Sequence, residues 1–336
     1  MLKQIDKGNM LELLLNFSEM AERTINVKTK IKVKAMPENI VIAGMGGSAI
    51  SGNLLIDWLE HKLTIPIHVC RNYLLPNFVN KKSLVIAISY SGNTEETISA
   101  FNDARERKAM IICITSGGKL EEVSKRYRIP FVSVEKGIEP RAALPYLFFS
   151  LIRILREIGL VKDDNEIKET ITILKRLRNE LKLKDNIAKT IAKKIKNMDA
   201  AIIYAPSGLE GVATRIKTQL NENSKTLSWV GVIPEINHNE ITGWSKKMRF
   251  CVIFLRDRNE TKKIRARIEF TKRIIRKRAK IIELWARGKT KLAKMFSLIL
   301  LGDFISFYLA IINKIDPTPV PLHDKIKKYL MQIRNG

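Results

Sequence analysis

The chain has 336 residues and a formal charge of +26, from 60 Lys and Arg against 34 Asp and Glu. This length allows one large or two ordinary domains with an ample core. The charge invites a nucleic-acid partner, but no zinc-finger spacing or aromatic RNA-binding run accompanies it. We therefore interpret the charge as a solvated lysine-rich surface, as in proteins from hot habitats, and expect no nucleic-acid partner.

Cysteine and histidine usage bears on the cellular compartment and on metal binding. Three cysteines each lie in or beside an apolar run: Cys70, Cys113 and Cys251. They have no CxxC spacing and no clustered histidine, so we expect neither a disulfide framework nor a metal site. Residues 1–6 do not begin a signal peptide, and buried thiols are typical of a reducing cytoplasm. The sequence thus predicts a cytoplasmic protein without a metal or another cofactor.

Strand and helix signals alternate through the first half of the chain. A leading helix is predicted over 9–23, and strands over 40–43, 67–69, 84–88, 110–115 and 131–134. The intervening helices are predicted at 50–59, 95–107 and 120–127, and a further helix runs from 140 to about 158. Such alternation indicates βαβ units, which form a parallel sheet with helices on both faces.

A second alternating block repeats this design after a charged helical connector. Its strands are predicted at 200–204, 250–255 and 280–284, and its helices at 212–221, 261–276, 290–313 and 322–331. Residues 295–312 are apolar enough to resemble a membrane span, but Asp303 interrupts them, so we expect a buried core helix. The repeat predicts two copies of one α/β fold, at 1–160 and 197–336, joined by a connector at 161–196.

Two loops of the first half combine small hydroxylated residues with glycine. Each follows a buried strand and opens a helix, where backbone N–H groups are available and the helix dipole favours an anion. The candidate phosphate-binding residues are Gly47, Ser48, Ser89, Ser91 and Thr94. An ordinary helix N-cap is the alternative for either loop. Two such loops together are typical of the ligand crevice of a doubly wound sheet.

The second block supplies candidates for acid–base chemistry. Glu222 stands between two asparagines at a helix end, where burial among neutral amides would favour a general base; a solvated helix-end glutamate is the alternative. Of the four histidines, only His238 sits in a polar loop with amides on both sides. No second histidine is paired with it in sequence as a metal ligand.

Six motifs in order resemble those of the archaeal bifunctional phosphoglucose/phosphomannose isomerases, which contain two sugar-isomerase (SIS) domains. They are GMGGSAISG at 44–52, SYSGNTEET at 89–97, PRAALPY at 140–146, NENSK at 221–225, NHNEI at 237–241 and DPTPV at 316–320. The resemblance covers essentially the whole chain. It implies two three-layer αβα domains with a C-terminal helix. It also implies metal-free interconversion of glucose 6-phosphate or mannose 6-phosphate with fructose 6-phosphate through a cis-enediolate.

The resemblance also implies roles for individual residues. The loop hydroxyls at 48, 89, 91 and 94 would hold the substrate phosphate. Arg141 would face the enediolate, and Glu222 would move the proton. His238 would help to open the sugar ring from the neighbouring subunit, which implies a homodimer. A ring-opening lysine is expected on the last helix, at Lys327 or alternatively at Lys325, since His323 departs from the family pattern there.

Two other functions remain open on the sequence. A non-catalytic phosphosugar-sensing regulator would use the same phosphate loops and the basic surface to bind DNA. Such regulators carry a helix-turn-helix before one SIS unit, whereas this chain has one leading helix and two SIS-like blocks. Another SIS phosphosugar isomerase, acting on a hexulose phosphate or an amino sugar, would share the phosphate loops but should lack the joint NENSK and NHNEI motifs.

Overall fold

The first half of the protein is built on a five-stranded parallel sheet. The structure is a computed structural model that describes residues 2–27, 31–162 and 164–334. The strands of this half are β1 (Asn39–Ala43), β2 (Ile67–Cys70), β3 (Ser83–Ser89), β4 (Met110–Thr115) and β5 (Phe131–Ser133). Its helices are α1 (Leu2–Ile5), α2 (Met10–Leu15), α3 (Phe17–Asn26), α4 (Gly46–Leu59), α5 (Glu95–Glu106), α6 (Gly118–Arg126) and α7 (Leu144–Glu157).

The second half is built on a four-stranded parallel sheet. Its strands are β6 (Ala200–Pro206), β7 (Ser228–Ile233), β8 (Phe250–Arg256) and β9 (Lys280–Trp285). The helices from residue 164 onward are α8 (Asp164–Leu181), α9 (Ile187–Ile195), α10 (Glu210–Ser224), α11 (Lys262–Ile275), α12 (Lys291–Ile312) and α13 (Pro321–Arg334). Short 3-10 turns occupy Pro140–Ala143, Glu235–His238 and Glu240–Gly243. Helices α8 and α9 lie between the two sheets in the chain and pack against α12; the predicted domain limits stay a prediction.

The apolar strands explain the layered architecture. Ile40 and Ile42 of β1 belong to the large core cluster, whereas Val41 and Ala43 belong to a second cluster on the opposite face of the sheet. Successive side chains of a strand point to opposite faces, so a continuous apolar run requires a cover on both. The predicted α/β fold, with helices on both faces of parallel sheets, is confirmed.

The strand order places a crevice in each sheet. The first sheet runs β2-β1-β3-β4-β5 and the second runs β7-β6-β8-β9. In each sheet the chain starts at an inner strand, adds one strand on one side and then crosses to the other. Loops that follow the two inner strands diverge at this point and leave a ligand crevice outside the strands' carboxyl ends. In the first sheet these strands are β1 and β3, aligned with Ala43 opposite Ala87.

Helix α12 is a core helix, as predicted. It is long and apolar enough to cross a membrane by length and composition, but 94% of its apolar window is buried inside the fold. Asp303, at its centre, has a fully buried side chain. Its neighbours in space are helices α8, α9 and α10, which cover it with protein.

Strand β7 is an element that the sequence analysis missed. It lies at one edge of the second sheet, where it pairs with β6. Its six residues begin with Ser228, and Trp229 is 45% exposed, so the run is less uniformly apolar than those of the inner strands. Gly231 interrupts the pattern further, because a β-carbon there would come within 2.6 Å of the Tyr204 ring.

A buried carboxylate joins the two halves. Asp57 on α4 accepts backbone N–H bonds from Gly211 at 2.8 Å and Val212 at 3.3 Å, at the start of α10. Burial raises the pKa of Asp57 from its ordinary 3.8 to about 7, outweighing the opposing effects of these bonds and of Lys291. The carboxyl group therefore titrates near neutral pH in the folded protein.

This shift predicts a pH-dependent contribution to stability. Between about pH 4 and pH 7 the unfolded chain ionises Asp57 while the folded protein keeps it protonated, so the free energy of unfolding falls as pH rises. Asp57→Asn keeps an oxygen acceptor but cannot titrate. Urea unfolding of both proteins should show the wild type losing stability relative to the variant across this window; a constant difference would contradict the assignment.

Candidate active site

The two glycine- and hydroxyl-containing loops lie side by side at the carboxyl edge of the first sheet. Helix α4 begins after Met45 and α5 begins after Thr94, and neither N-cap side chain bonds to its helix. The Thr94 hydroxyl instead lies 2.8 Å from the Ser89 hydroxyl, and Ser48 is buried on the first turn of α4. The arrangement leaves helix N-termini and hydroxyl groups for an anion. Ser91, by contrast, is exposed.

Gly47 brings these loops, which we call the phosphate cradle (44–48 and 89–94), against Arg141. A β-carbon at Gly47 would lie 3.3 Å from the Pro140 carbonyl oxygen and 3.6 Å from the Arg141 Cα atom. A larger side chain would push the 3-10 turn away from the start of α4. Glycine is needed here for the close approach, which places a buried cation next to the cradle.

Arg141 is held by segments that are distant in sequence. Its side chain is only 4% exposed. Nε donates to the Asn223 Oδ1 atom at 2.8 Å, and Nη2 donates to the carbonyl oxygens of Pro317 and Thr318, both at 2.7 Å. Nη1 donates to Glu139 Oε2 at 3.1 Å. Burial lowers the pKa of Arg141, but the guanidinium group remains charged because its ordinary pKa is so high.

Glu222 lies beside this cation, on the last turn of α10. Its Oε2 atom is 3.9 Å from Arg141 Nη1, and its side chain is 26% exposed. The sequence left two environments open for this carboxylate, burial among neutral amides and full solvation, and the structure shows neither. Asn223 points its amide oxygen at Arg141, and the group beside Glu222 is the Arg141 guanidinium. The pair combines a fixed cation with a carboxylate that solvent and a ligand can reach.

Lys225 is a site residue to which the sequence analysis gave no role. It ends α10 in the left-handed conformation, and its Nζ atom lies 2.5 Å from the Glu222 carbonyl oxygen and 3.4 Å from that of Pro317. Burial, and secondarily the charge of Arg141, lower the pKa of the Lys225 ammonium group. Its position within the NENSK motif was the signal that could have identified it.

His238 does not join the other candidates within one chain. Glu222 precedes the amino end of β7, whereas the exposed His238 follows its carboxyl end. A strand of six residues spans about 20 Å. The two side chains therefore lie toward opposite ends of the second sheet.

The predicted ring-opening lysine lies on α13, which starts directly after the segment that Arg141 holds. Lys325 is exposed there, whereas the side chain of Lys327 lies outside the described residues. Within the described ranges, no group of three or more His, Cys, Asp or Glu is placed to hold a metal ion. The three cysteines are buried and unpaired with each other.

Comparison with known proteins identifies the same two units. Residues 35–124 match the SIS domain, and residues 184–330 match the bacterial phospho-glucose isomerase C-terminal SIS domain. A bifunctional phosphoglucose/phosphomannose isomerase from Caldicellulosiruptor bescii is 40% identical over 97% of this chain and 100% of the relative. One from Aquifex aeolicus is 36% identical over 87% of this chain and 90% of the relative.

A solved structure shares the fold. The C-terminal domain of glucosamine-fructose-6-phosphate aminotransferase from Francisella tularensis superimposes with a TM-score of 0.71. The match covers 92% of this chain and 98% of that chain, at 17% sequence identity. At this identity the likeness concerns the architecture of the two sheets.

The phosphate cradle can be tested with inorganic phosphate. Removing the Ser89 hydroxyl, which pairs with Thr94, should weaken phosphate binding about tenfold or more, as expected for a hydrogen bond to a charged group. Thermal unfolding followed at increasing phosphate concentration measures the affinity of Ser89→Ala. Ser133→Ala, at an exposed serine on β5, is the matched control. Equal protection of both variants would contradict the cradle.

Proposed function

Since the chain belongs to the bifunctional phosphoglucose/phosphomannose isomerase family, we propose that it interconverts glucose 6-phosphate and mannose 6-phosphate with fructose 6-phosphate at the crevice around Arg141. The observation that carries this proposal is one continuous site. A phosphate cradle from the first sheet touches, through Gly47, the turn that holds Arg141, and Glu222 of the second half lies beside that guanidinium.

The cradle binds the part of the substrate that does not react. Helix N-termini and neutral hydroxyls favour binding of a phosphate without adding a positive charge. Since substrate and product carry the same phosphate group, the cradle binds both alike. With the phosphate bound there, the sugar chain extends toward Arg141. Because all three hexose phosphates carry the group on C6, one cradle serves both isomerisations.

Glu222 is the proposed base for the proton transfer. Starting from the open-chain aldose, its carboxylate removes the proton on C2 and leaves a cis-enediolate. The hydroxyl proton then passes from O2 to O1, and return of the first proton from Glu222 to C1 gives the ketose. Arg141 stabilises the negative oxygen of the enediolate. A guanidinium group suits this role because it stays protonated and does not compete for the moving proton.

Ring opening requires a second acid–base pair, which we assign to His238 and to Lys327 or Lys325. His238 would come from a neighbouring subunit of a homodimer. The separation of His238 from Glu222 across the second sheet supports this assignment, because neither side chain spans about 20 Å within one chain. The proposed mechanism uses protein side chains alone, and the absence of a metal or other cofactor stays a prediction.

The three buried, free cysteines suit a reducing environment, and we place the enzyme in the cytoplasm. A DNA-binding sensor is not favoured. In this chain α2 packs against α12, α3 packs against α7 and α8, and Phe17 lies in the large core cluster, so α2 and α3 belong to the core and do not form a separate DNA-binding unit.

A coupled assay with fructose 6-phosphate tests the function directly. Purified protein should form both glucose 6-phosphate and mannose 6-phosphate. Glu222→Gln should lower turnover about 10²–10⁴-fold and stop exchange of the C2 hydrogen with solvent, because the amide cannot accept the proton. Glu210→Gln, on the exposed first turn of the same helix, should retain activity. Near-normal turnover by Glu222→Gln would overturn the assignment.

Mixing two inactive variants tests whether His238 crosses the interface. If it does, a dimer of one Glu222→Gln and one His238→Ala protomer holds one intact site and one doubly altered site. Random mixing should therefore restore about a quarter of the wild-type rate, since roughly half of the dimers are mixed. If His238 served its own chain, every site would keep one defect, and mixing would restore nothing.

A further inference from the structure

A charged pair is buried at the centre of the second half. Arg215 on α10 and Asp303 on α12 are 1% and 0% exposed. Two hydrogen bonds join them, from Nε to Oδ1 at 3.1 Å and from Nη2 to Oδ2 at 2.7 Å. Removing two charges from water is costly, and such a pair adds little net stability compared with apolar residues of similar size. The presence of this buried pair is therefore better explained by a role other than stabilisation of the fold.

The pair leads to Arg141 by two routes. Arg215 Nη1 donates to the main-chain carbonyl oxygen of Arg141 at 2.8 Å. In the second route, the Ser306 hydroxyl donates to the main-chain carbonyl of Asp303 at 2.7 Å and accepts from Asn223 Nδ2 at 3.0 Å. Asn223 Oδ1 then accepts from Arg141 Nε at 2.8 Å. One turn of α12 thus reaches both the backbone and the side chain of Arg141.

The second route also sets the direction of each hydrogen bond. Because Ser306 uses its proton on the Asp303 carbonyl, its oxygen is left to accept from the Asn223 amide nitrogen. The amide oxygen of Asn223 must then point toward Arg141. Asn223 and Ser306 are both fully buried, so water does not offer Asn223 an alternative partner.

Hydrogen bonds on two edges of the Arg141 guanidinium group therefore fix the orientation of its plane. Nε faces Asn223, and Nη2 faces the carbonyl oxygens of Pro317 and Thr318. The remaining edge, at Nη1, is the one that faces Glu222 and Glu139.

We propose that Asp303, Arg215, Ser306 and Asn223 form a positioning network that orients Arg141 so that its Nη1 edge meets the reacting oxygen. This inference rests on the proposed function, in which Arg141 stabilises the enediolate. Among the described residues, the hydrogen bonds of the network lead to Arg141, and none joins it to residues 44–48 or 89–94. Loss of the network should therefore lower the rate of the chemical step, because misplacement of a catalytic group by about 1 Å lowers that rate about 10²-fold.

Ser306→Ala tests the second route. It removes the hydroxyl that orients Asn223, so kcat with fructose 6-phosphate should fall about tenfold or more while KM stays within about twofold. Ser306→Thr, which retains a hydroxyl, should restore most of kcat. Ser124→Ala is the matched control, because Ser124 is equally buried and donates to a carbonyl of its own helix, α6.

A double variant tests the first route without leaving a lone buried charge. Arg215→Met combined with Asp303→Leu replaces the pair by apolar side chains, so the protein should fold with a melting temperature near that of the wild type. It loses the bond to the Arg141 carbonyl, and its kcat should fall while KM is preserved. Wild-type kcat in both Ser306→Ala and the double variant would overturn the network.

A spectroscopic measurement separates failure of the network from failure of the proposed function. The Nε–H of Arg141 should exchange slowly with solvent in the wild type and faster in Ser306→Ala, observed by NMR of ¹⁵N-arginine-labelled protein. If exchange quickens but the wild type lacks isomerase activity, the proposed function is wrong and the network stands. If exchange is unchanged in Ser306→Ala, the network is wrong whatever the activity.

Discussion

The anchoring of one guanidinium group by two α/β units is the constraint on which the site depends. Arg141 belongs to the first half, yet its donors are engaged by Asn223 and by the 317–318 carbonyls of the second half. Hydrogen bonds to a charged group are each worth about 1.5–3 kcal/mol, and leaving such a buried donor unpaired costs more. The two units are consequently held in one relative position, and that position brings the phosphate cradle and Glu222 together.

The helix that follows the first strand of each sheet has a different environment at its N-terminus in the two halves. In the first half, α4 starts without a side-chain cap, which leaves its N-terminal N–H groups for the proposed phosphate. In the second half, the equivalent helix α10 is capped by the Asp57 carboxylate from α4. A carboxyl group of the protein itself thus fills the helix N-terminus in the second half, whereas the corresponding position in the first half has no side-chain cap. The repeated fold alone would predict two open helix N-termini, whereas the contact between α4 and α10 fills one of them from within the protein.

The local sequence pattern was sufficient to predict a strand where burial of both of its faces requires a continuous apolar run. Strands β1, β3, β4, β6 and β8 were predicted from continuous apolar runs, because a parallel strand covered on both faces admits few polar residues. Strand β7 was missed, although the other edge strands β2, β5 and β9 were predicted, because Gly231 and the exposed Trp229 break its apolar run. The NENSK motif could have marked Lys225 as a site residue, but not where its side chain points. A left-handed helix end aims the ammonium group at the 316–317 carbonyls, which are distant in sequence.

The sequence by itself determined the fold class and the family, since these depend on short motifs and on residue periodicity. Tertiary structure alone decided what surrounds Arg141, since its partners Asn223 and Pro317 lie 82 and 176 residues away along the chain. It also decided that His238 is separated from Glu222 by the length of a strand, although only sixteen positions separate them in sequence. Hydrogen bonds over such distances depend on how helices pack against sheets, and local residue patterns carry no record of that geometry.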